Sequence, residues 1–499
     1  MDCLATYNGE GAVQTDQMVV RFELLPGLLW SDGLPLSADD SVYSYEIAQS
    51  LYPQVRADLL LHTSAYQALD ANTIEWRAVP GYRDPGFATN FFTPLPRHAW
   101  GNLAVQDLFS AEISTRKPLG WGAYVIEEWI AGDHITLSRN PNYFRQDQDI
   151  PRFDKFVFRF MPDKDQAKLA LLAGECDLLD ETVYFSPPDP QLVELESEGK
   201  AQIVMQAGVA WEHMDFDILP VVQPDENRNM LFHLRETRQA IAMCIDRQRL
   251  VDEFFRGKSL VPTSFVPPSH PLLNADVKQY AYDPGAASAL LETAGWIDQD
   301  GDPHTPRQAQ GVTGVTDGTA LAFTFLTTTE PEKQQAAQII QSSLEQCGIR
   351  MEINASDWQT VFAPGPDGAV FGRKFEMAQF GWEAALEPPC FLYMSSEIPG
   401  PYPEASKGWG GANASGYSNP EYDLACQQAL ATIAGMPEHQ AAHFQAQAIL
   451  AEDVPMIPLY LRTHTLVARS DLCHINLEAV AESALWNLEF FDYGQACNN

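Results

Sequence analysis

Two strand–helix–strand passages constrain the fold of this 499-residue chain more than any other feature of its sequence. From Lys155 to Met161, "KFVFRFM" alternates Phe156, Phe158 and Phe160 against Val157 and Arg159, the period of a strand with one buried face. Asp163 then stands as an N-cap, Ala167 and Leu171 continue a helical run, and Gly174 ends it before "CDLLD" resumes an apolar strand. The same grammar returns downstream: "ALAFTFLTT", a helix carrying Ala337, Ile340, Leu344 and Cys347 on one face with Gly348 as its stop, and the alternating "IRMEINAS". A strand, a helix and a strand in about 30 residues imply a right-handed parallel crossover. Each half of the chain is therefore expected to own a parallel, helix-covered sheet, giving two α/β lobes.

The first 118 residues follow a different pattern. "MVVRFEL" and "NTIEWRAVP" alternate as strands, and Ser37 with Asp40 three residues on signals a capped helix over "LSADDSVYSYEIAQS", which predicts a smaller α+β subdomain. Residues 297–320 are rich in Gly, Pro, Asp and Thr and read as a surface loop or hairpin.

Charge and hydropathy narrow the partners. With 67 acidic and 31 basic residues the formal charge is −36, which repels nucleic-acid phosphates and anionic lipid. No apolar run approaches the ~18 residues of a membrane span. "MDCLATYNGEGAVQ" lacks the basic and apolar regions of a signal peptide, so either the protein is cytosolic or its true start lies upstream. The eight cysteines contain no C-x-x-C pair; Cys390 with Cys426, or Cys473 with Cys497, can close loops in an oxidising compartment, but isolated buried thiols are the simpler expectation.

The common catalytic signatures are missing: no G-x-S-x-G, H-E-x-x-H, G-x-x-x-x-G-K or G-x-G-x-x-G after a strand. His439 and His443 stand four apart and share a helix face, but the sequence supplies no third ligand nearby, so a solvated face is expected rather than a metal site. Asp298, Asp300 and Asp302 resemble the start of a calcium loop, yet Pro303 and Ala309 occupy the positions of its glycine and bidentate Glu, and a turn held by aspartates is expected instead. What remains is a group of aromatic and acidic residues after the strand "FEMAQF": Trp382, Glu383 and Glu387, then Trp409, Asn413 and Tyr417. Ligands of open α/β sheets sit outside the carboxyl ends of strands, which makes this stretch the candidate site.

Eight segments, in order, resemble the blocks of the extracellular solute-binding proteins of ABC importers, family 5, the dipeptide/oligopeptide-binding class. They are "VRFELLPGLLWSDGLPLSADDSVYSYE", "GWGAYVIEEWIAGDHITLSRNPNYF", "FDKFVFRFMPDKDQAKLALLAGECDLLD", "LRETRQAIAMCIDRQRLVD", "AYDPGAASALLETAGW", "EQCGIRMEINASDWQTVF", "GYSNPEYDLACQQAL" and "ILAEDVPMIPLYLR". The resemblance implies an α/β, two-lobed periplasmic-binding-protein-like clamp (type II) with an additional N-terminal α+β subdomain. It divides the chain into residues 1–118 as that subdomain, 119–265 plus 465–499 as the first lobe, and 266–464 as the second, with crossings near 262–268 and 455–460. It further implies a monomer without cofactor or metal, no enzyme, that closes on a small polar solute and delivers it to a membrane permease at the periplasmic or extracellular face. A carboxylate-based hydrolase using Glu383 and Glu387, or a sensor on the same scaffold, is the alternative.

Three departures from the family pattern bear on the ligand. The chain starts just ahead of the first block, so a signal sequence and early strands are expected upstream, and Cys3 does not fit as a lipidation site. Ala385 stands where peptide-binding members place the Asp that holds the ligand's ammonium, and Gln379 where an Arg can hold its carboxylate. Asp217 takes an Asn position and, with Glu383 and Glu387, hints at a cationic or hydroxyl-rich ligand. The resemblance thus implies a cleft lined by Trp382, Glu383, Glu387, Trp409, Asn413, Tyr417 and Asp217, with Trp382 stacking on the solute.

Overall fold

The computed structural model describes residues 15–183, 189–219 and 230–494. The chain forms two compact units: Met1–Met161 with Ala431–Ile433 and Leu488–Asp492, and Pro162–Leu430 with Ala434–Asn487 and Tyr493–Asn499.

The first unit holds two three-stranded antiparallel sheets. In one, β1 (Val19–Glu23) and β2 (Thr63–Ala68) flank β3 (Thr73–Ala78). The helix Ala38–Ser50 packs on this sheet, and its expected cap is present: the Asp40 carboxylate accepts from the Ser37 backbone N–H at 3.0 Å. Asp40 also accepts from the indole N–H of buried Trp30 at 3.2 Å, so one side chain fixes both the helix start and the preceding loop. The other sheet orders β4 (Tyr124–Ile130), β5 (His134–Arg139) and β6 (Lys155–Arg159).

That last pairing corrects the expected crossover in the first half. The elements form as read: β6, a helix over Lys164–Leu172 capped by Asp163 accepting from Gln166 N at 2.8 Å, and β7 (Leu178–Leu179). The two strands, however, belong to different sheets, β6 pairing antiparallel with β5 and β7 antiparallel with a strand from the end of the chain. Alternation in "KFVFRFM" specifies a strand with one apolar face but not the neighbour that covers its edge.

The second crossover forms as expected. In a six-stranded mixed sheet of the second unit, β11 (Ala322–Thr328) and β12 (Arg350–Ser356) pair parallel around the helix Pro331–Glu345. The sheet is ordered β12–β11–β13–β8–β14–β7, where β8 is Ala201–Phe216, β13 Met377–Glu383 and β14 Met456–Arg469. β8 and β14 form a long antiparallel ribbon. One end, Ala210–Phe216, adds β13; the other end of β14, at Ala468 and Val467, adds β7. The ribbon's register shifts between Pro458 and Tyr460 and between Leu461 and Thr463.

The main core covers this sheet with Trp211, Met214, Phe216, Phe323, Phe325, Ile340 and Leu344 among its buried members. The 297–320 stretch, read as a surface loop or hairpin, begins with a short hairpin of β9 (Trp296–Ile297) against β10 (Gln308–Ala309). Its aspartates make turns as read: Asp298 accepts from Gly301 N at 2.8 Å, and Asp302 from His304 N at 3.0 Å. The cysteines correct the expectation of isolated thiols. Cys244 bonds to Cys347 and Cys390 to Cys426, and Cys473 is also disulfide-bonded. Cys3 and Cys497 lie outside the described residues. Among the described residues no helix is long and apolar enough to cross a membrane.

Candidate functional site

A cavity of about 520 Å³ opens at the carboxyl end of β13, within the second unit. β13 carries Gln379, Phe380, Gly381 and Trp382 to it, β11 delivers Thr328, and the start of the following helix brings Glu330, Glu332 and Lys333. β8 contributes Glu212 and β14 contributes Tyr460 and Arg462; Trp358, Phe362 and Phe371 complete an aromatic wall. Adjacent parallel strands β11 and β13 end here, which is why one opening collects side chains from both.

Three of the charges lining the cavity, Glu212, Lys333 and Arg462, are matched by one another. Glu212 is fully buried and accepts from Lys333 Nζ on one oxygen, and from Arg462 Nη2 at 2.9 Å and Nε at 3.1 Å on the other. Burial alone would raise the Glu212 pKa, but the two cations beside it outweigh that and hold it at about 2. Burial lowers the Lys333 pKa, with Glu212 opposing the shift. Gly381 leaves room for this arrangement, since a Cβ there would meet Arg462 Nη2 at 2.8 Å and Glu212 Oε2 at 3.1 Å.

Three polar atoms contrast with that triad. Thr328 Oγ1, Gln379 Nε2 and Glu330 Oε2 are buried and have no hydrogen-bond partner among the described residues. Gln379 is anchored through its other amide atom, Oε1, which accepts from Thr327 Oγ1 at 3.4 Å. A donor and two acceptors of this kind, beside aromatic faces, can bind a polar solute by hydrogen bonds and stacking.

The residues singled out from the sequence are dispersed. Trp382 lines the cavity and packs partly against two apolar clusters. Glu383 is exposed at the end of β13. Trp409 lies over Gly365, where a Cβ would meet its ring at 2.9 Å. Asn413 is buried, donating to the carbonyls of Met394 and Tyr417 at 2.9 Å each, and the Tyr417 hydroxyl donates to Asp453 at 2.6 Å. Asp217 is buried 3.5 Å from the Arg373 guanidinium. Glu387 accepts from two buried imidazoles, His439 at 3.0 Å and His443 at 2.5 Å. The histidine face expected to be solvated is therefore buried, and the missing third group comes from a distant loop. Glu212, Lys333 and Arg462 were not legible as site residues: they lie 250 positions apart at their extremes, and only strand pairing unites them.

An open mixed sheet with a cavity of this size at its strand ends has the geometry of a small-solute binding site, and its solved structural neighbours are periplasmic binding proteins. The match to known sequences names the family: the model described as Bacterial extracellular solute-binding proteins, family 5 Middle, covers residues 4–400, and the chain belongs to that family. Its function class is that of the substrate-binding proteins of ABC importers, not of hydrolases. Oligopeptide-binding protein AppA of Bacillus subtilis is 25% identical over 453 residues, 87% of this chain and 74% of that protein. Di/tripeptide-binding protein 1 of Pseudomonas aeruginosa is 22% identical over 79% of this chain and 65% of its own length. Among solved structures, NikA from Brucella suis in complex with Fe(III)-EDTA superposes with a TM-score of 0.74 at 18% identity, covering 97% of this chain and 90% of that one.

Proposed function

We propose that this protein captures a small polar solute, peptide-like or hydroxyl-rich, in the cavity beside β13 and passes it to the permease of an ABC importer at the periplasmic or extracellular face. It acts as a binder and not as an enzyme. The observation that carries this reading is the trio Thr328 Oγ1, Gln379 Nε2 and Glu330 Oε2, buried without hydrogen-bond partners among the described residues in a cavity walled by aromatic rings. Desolvated polar atoms of this kind cost roughly 1–3 kcal/mol each when left unpaired, and a solute that pairs them recovers that cost.

The charge pattern selects among solutes. Glu212, Lys333 and Arg462 satisfy one another, which favours recognition through hydrogen bonds and stacking over a clamp on two ligand charges. Ala385 and Gln379, at the two positions of such a clamp, support the same preference. Trp382 is the stacking surface and Glu383 flanks the mouth; the hydrogen bonds of Asn413, Tyr417 and Glu387 and the ion pair of Asp217 with Arg373 make them frame residues in this reading. The expected crossing near 455–460 overlaps the register shifts of the β8–β14 ribbon between Pro458 and Thr463, which supports a hinge there.

Native mass spectrometry of gently purified protein tests the proposal directly. A stoichiometric solute released on unfolding supports it, and Trp382→Ala should then weaken that solute's affinity by about 10-fold, the loss of one stacking face with its buried area. Unchanged affinity in the variant would remove Trp382 from the site. Turnover of the solute by the intact protein would overturn the binder reading.

A further inference from the structure

The histidine pair left without a role in solute binding has the makings of a second site. His439 and His443 lie one turn apart on the helix Pro437–Asp453 and are buried, 1% and 0% exposed. Both direct Nε2 at the Glu387 carboxylate: His439 is 3.0 Å from each oxygen and His443 is 2.5 Å from Oε1. One ligand atom from each of the three residues lies within 4.8 Å of the others. In neither ring does Nδ1 have a hydrogen-bond partner among the described residues, so each imidazole's polar contact is made at Nε2 alone. Among the described residues Glu387 has no Lys or Arg ion-pair partner; its ion-pair partners there are these two histidines.

We propose that Glu387, His439 and His443 form a zinc site, distinct from the solute cavity, that ties the loop after β13 to the helix Pro437–Asp453. Two imidazole nitrogens and one carboxylate oxygen are a donor set suited to Zn²⁺, with a fourth position left for water. Ligand atoms bonded at about 2.0–2.1 Å in a tetrahedron stand roughly 3.3 Å apart, so the contacts need to open by less than an ångström to admit the ion. A dication there would offset the charge of the carboxylate, whose side chain is 19% exposed.

The frame around the three ligands is fixed. The Glu387 loop is held on one side by His270, whose Nε2 is 3.1 Å from the Leu386 carbonyl, and on the other by the Cys390–Cys426 disulfide. One turn beyond His443, buried Gln447 donates to the carbonyls of His443 and Leu272 and accepts from Asn274 N at 3.0 Å. Ligands mounted on a packed helix and a tethered loop lose little freedom when the metal binds.

The test uses the full chain, stripped with chelator and titrated with Zn²⁺. Expected are one equivalent bound, a metal-dependent rise in melting temperature, and an X-ray absorption spectrum showing two imidazoles and oxygen at about 2.0–2.1 Å. His443→Gln and Glu387→Gln should each lose affinity by more than the ~10–100-fold that removing an outer-shell partner costs, while Trp382→Ala keeps it. Circular dichroism of the metal-free variants checks that they fold; if one does not, the absorption spectrum of the unaltered protein decides. No saturable binding, a shell without imidazole, or affinity unchanged in the folded variants would overturn the proposal, leaving a hydrogen-bonded Glu–His₂ cluster.

Discussion

Along β8, neighbouring residues meet burial with opposite protonation states. Glu212 remains charged because two cations reach it; one position on, His213 is fully buried, and burial lowers its pKa from 6.5 to about 3. Among the described residues Asp215 meets no Lys or Arg: the Tyr393 hydroxyl lies at 3.0 Å and the neutral His213 ring at 3.6 Å, and burial raises its pKa from 3.8 to about 8. The signs give a pH profile. Asp215 contributes stability that is complete below about pH 4 and is lost as pH rises to 8, because only the unfolded chain ionises. His213 contributes stability that is lost as pH falls from 6.5 through 3, because only the unfolded chain takes the proton. Between about pH 4 and 6.5 the two slopes cancel, and from 6.5 to 8 Asp215 acts alone, removing about 2 kcal/mol at roughly 1.4 kcal/mol per pH unit. Urea unfolding across pH measures this. Asp215→Asn should abolish the fall above pH 6.5 and expose a rise between 4 and 6.5; a variant with the parent's profile would refute the assignment.

At the scale of elements, β13 is the strand on which the site depends. It is paired with β8 across Glu383–Ala210 to Met377–Phe216, and this register sets Gly381 opposite Glu212. Gly381→Ala would drive a methyl into Arg462 and Glu212, and the expected cost is about 1–3 kcal/mol of stability together with weaker solute binding. Chemical denaturation alongside a binding titration checks both, and an unperturbed variant would show that the triad tolerates displacement. The strand itself was legible from "FEMAQF", since its alternation and apolar run carry a local signal. Its partners were not. Likewise "KFVFRFM" announced a strand, while its membership of an antiparallel sheet depended on β5, whose edge is supplied by the hairpin with β4.

Over the whole molecule, the disulfides tie together segments that are far apart in sequence. Cys244–Cys347 closes a span of 103 residues and joins the ends of the helices Arg235–Met243 and Pro331–Glu345; Cys390–Cys426 closes 36 and anchors the Glu387 loop. Each is expected to contribute about 2–4 kcal/mol. Melting curves with and without reductant should show a drop, and thiol titration of the denatured, unreduced protein should find these four cysteines unreactive. Equal melting temperatures would mean that packing alone sustains the second unit. Paired cysteines also agree with the extracellular setting of the family.

The sequence by itself determined the elements and the family. Periodicity, caps and turn residues act over a few positions, and the Ser37–Asp40 box, the Asp163 cap, the aspartate turns of 298–302 and the crossover from β11 to β12 all formed where that local chemistry predicts. Eight ordered blocks carried membership in the same way, because each is read without knowing its spatial neighbours. The tertiary structure alone decided which side chains meet. Glu212 joined Lys333 and Arg462, Cys244 joined Cys347, and Glu387 joined His439 and His443 across loops of 50 to 250 residues. Such encounters depend on sheet order and register, which follow from burying all the strands at once and leave no mark at any single position.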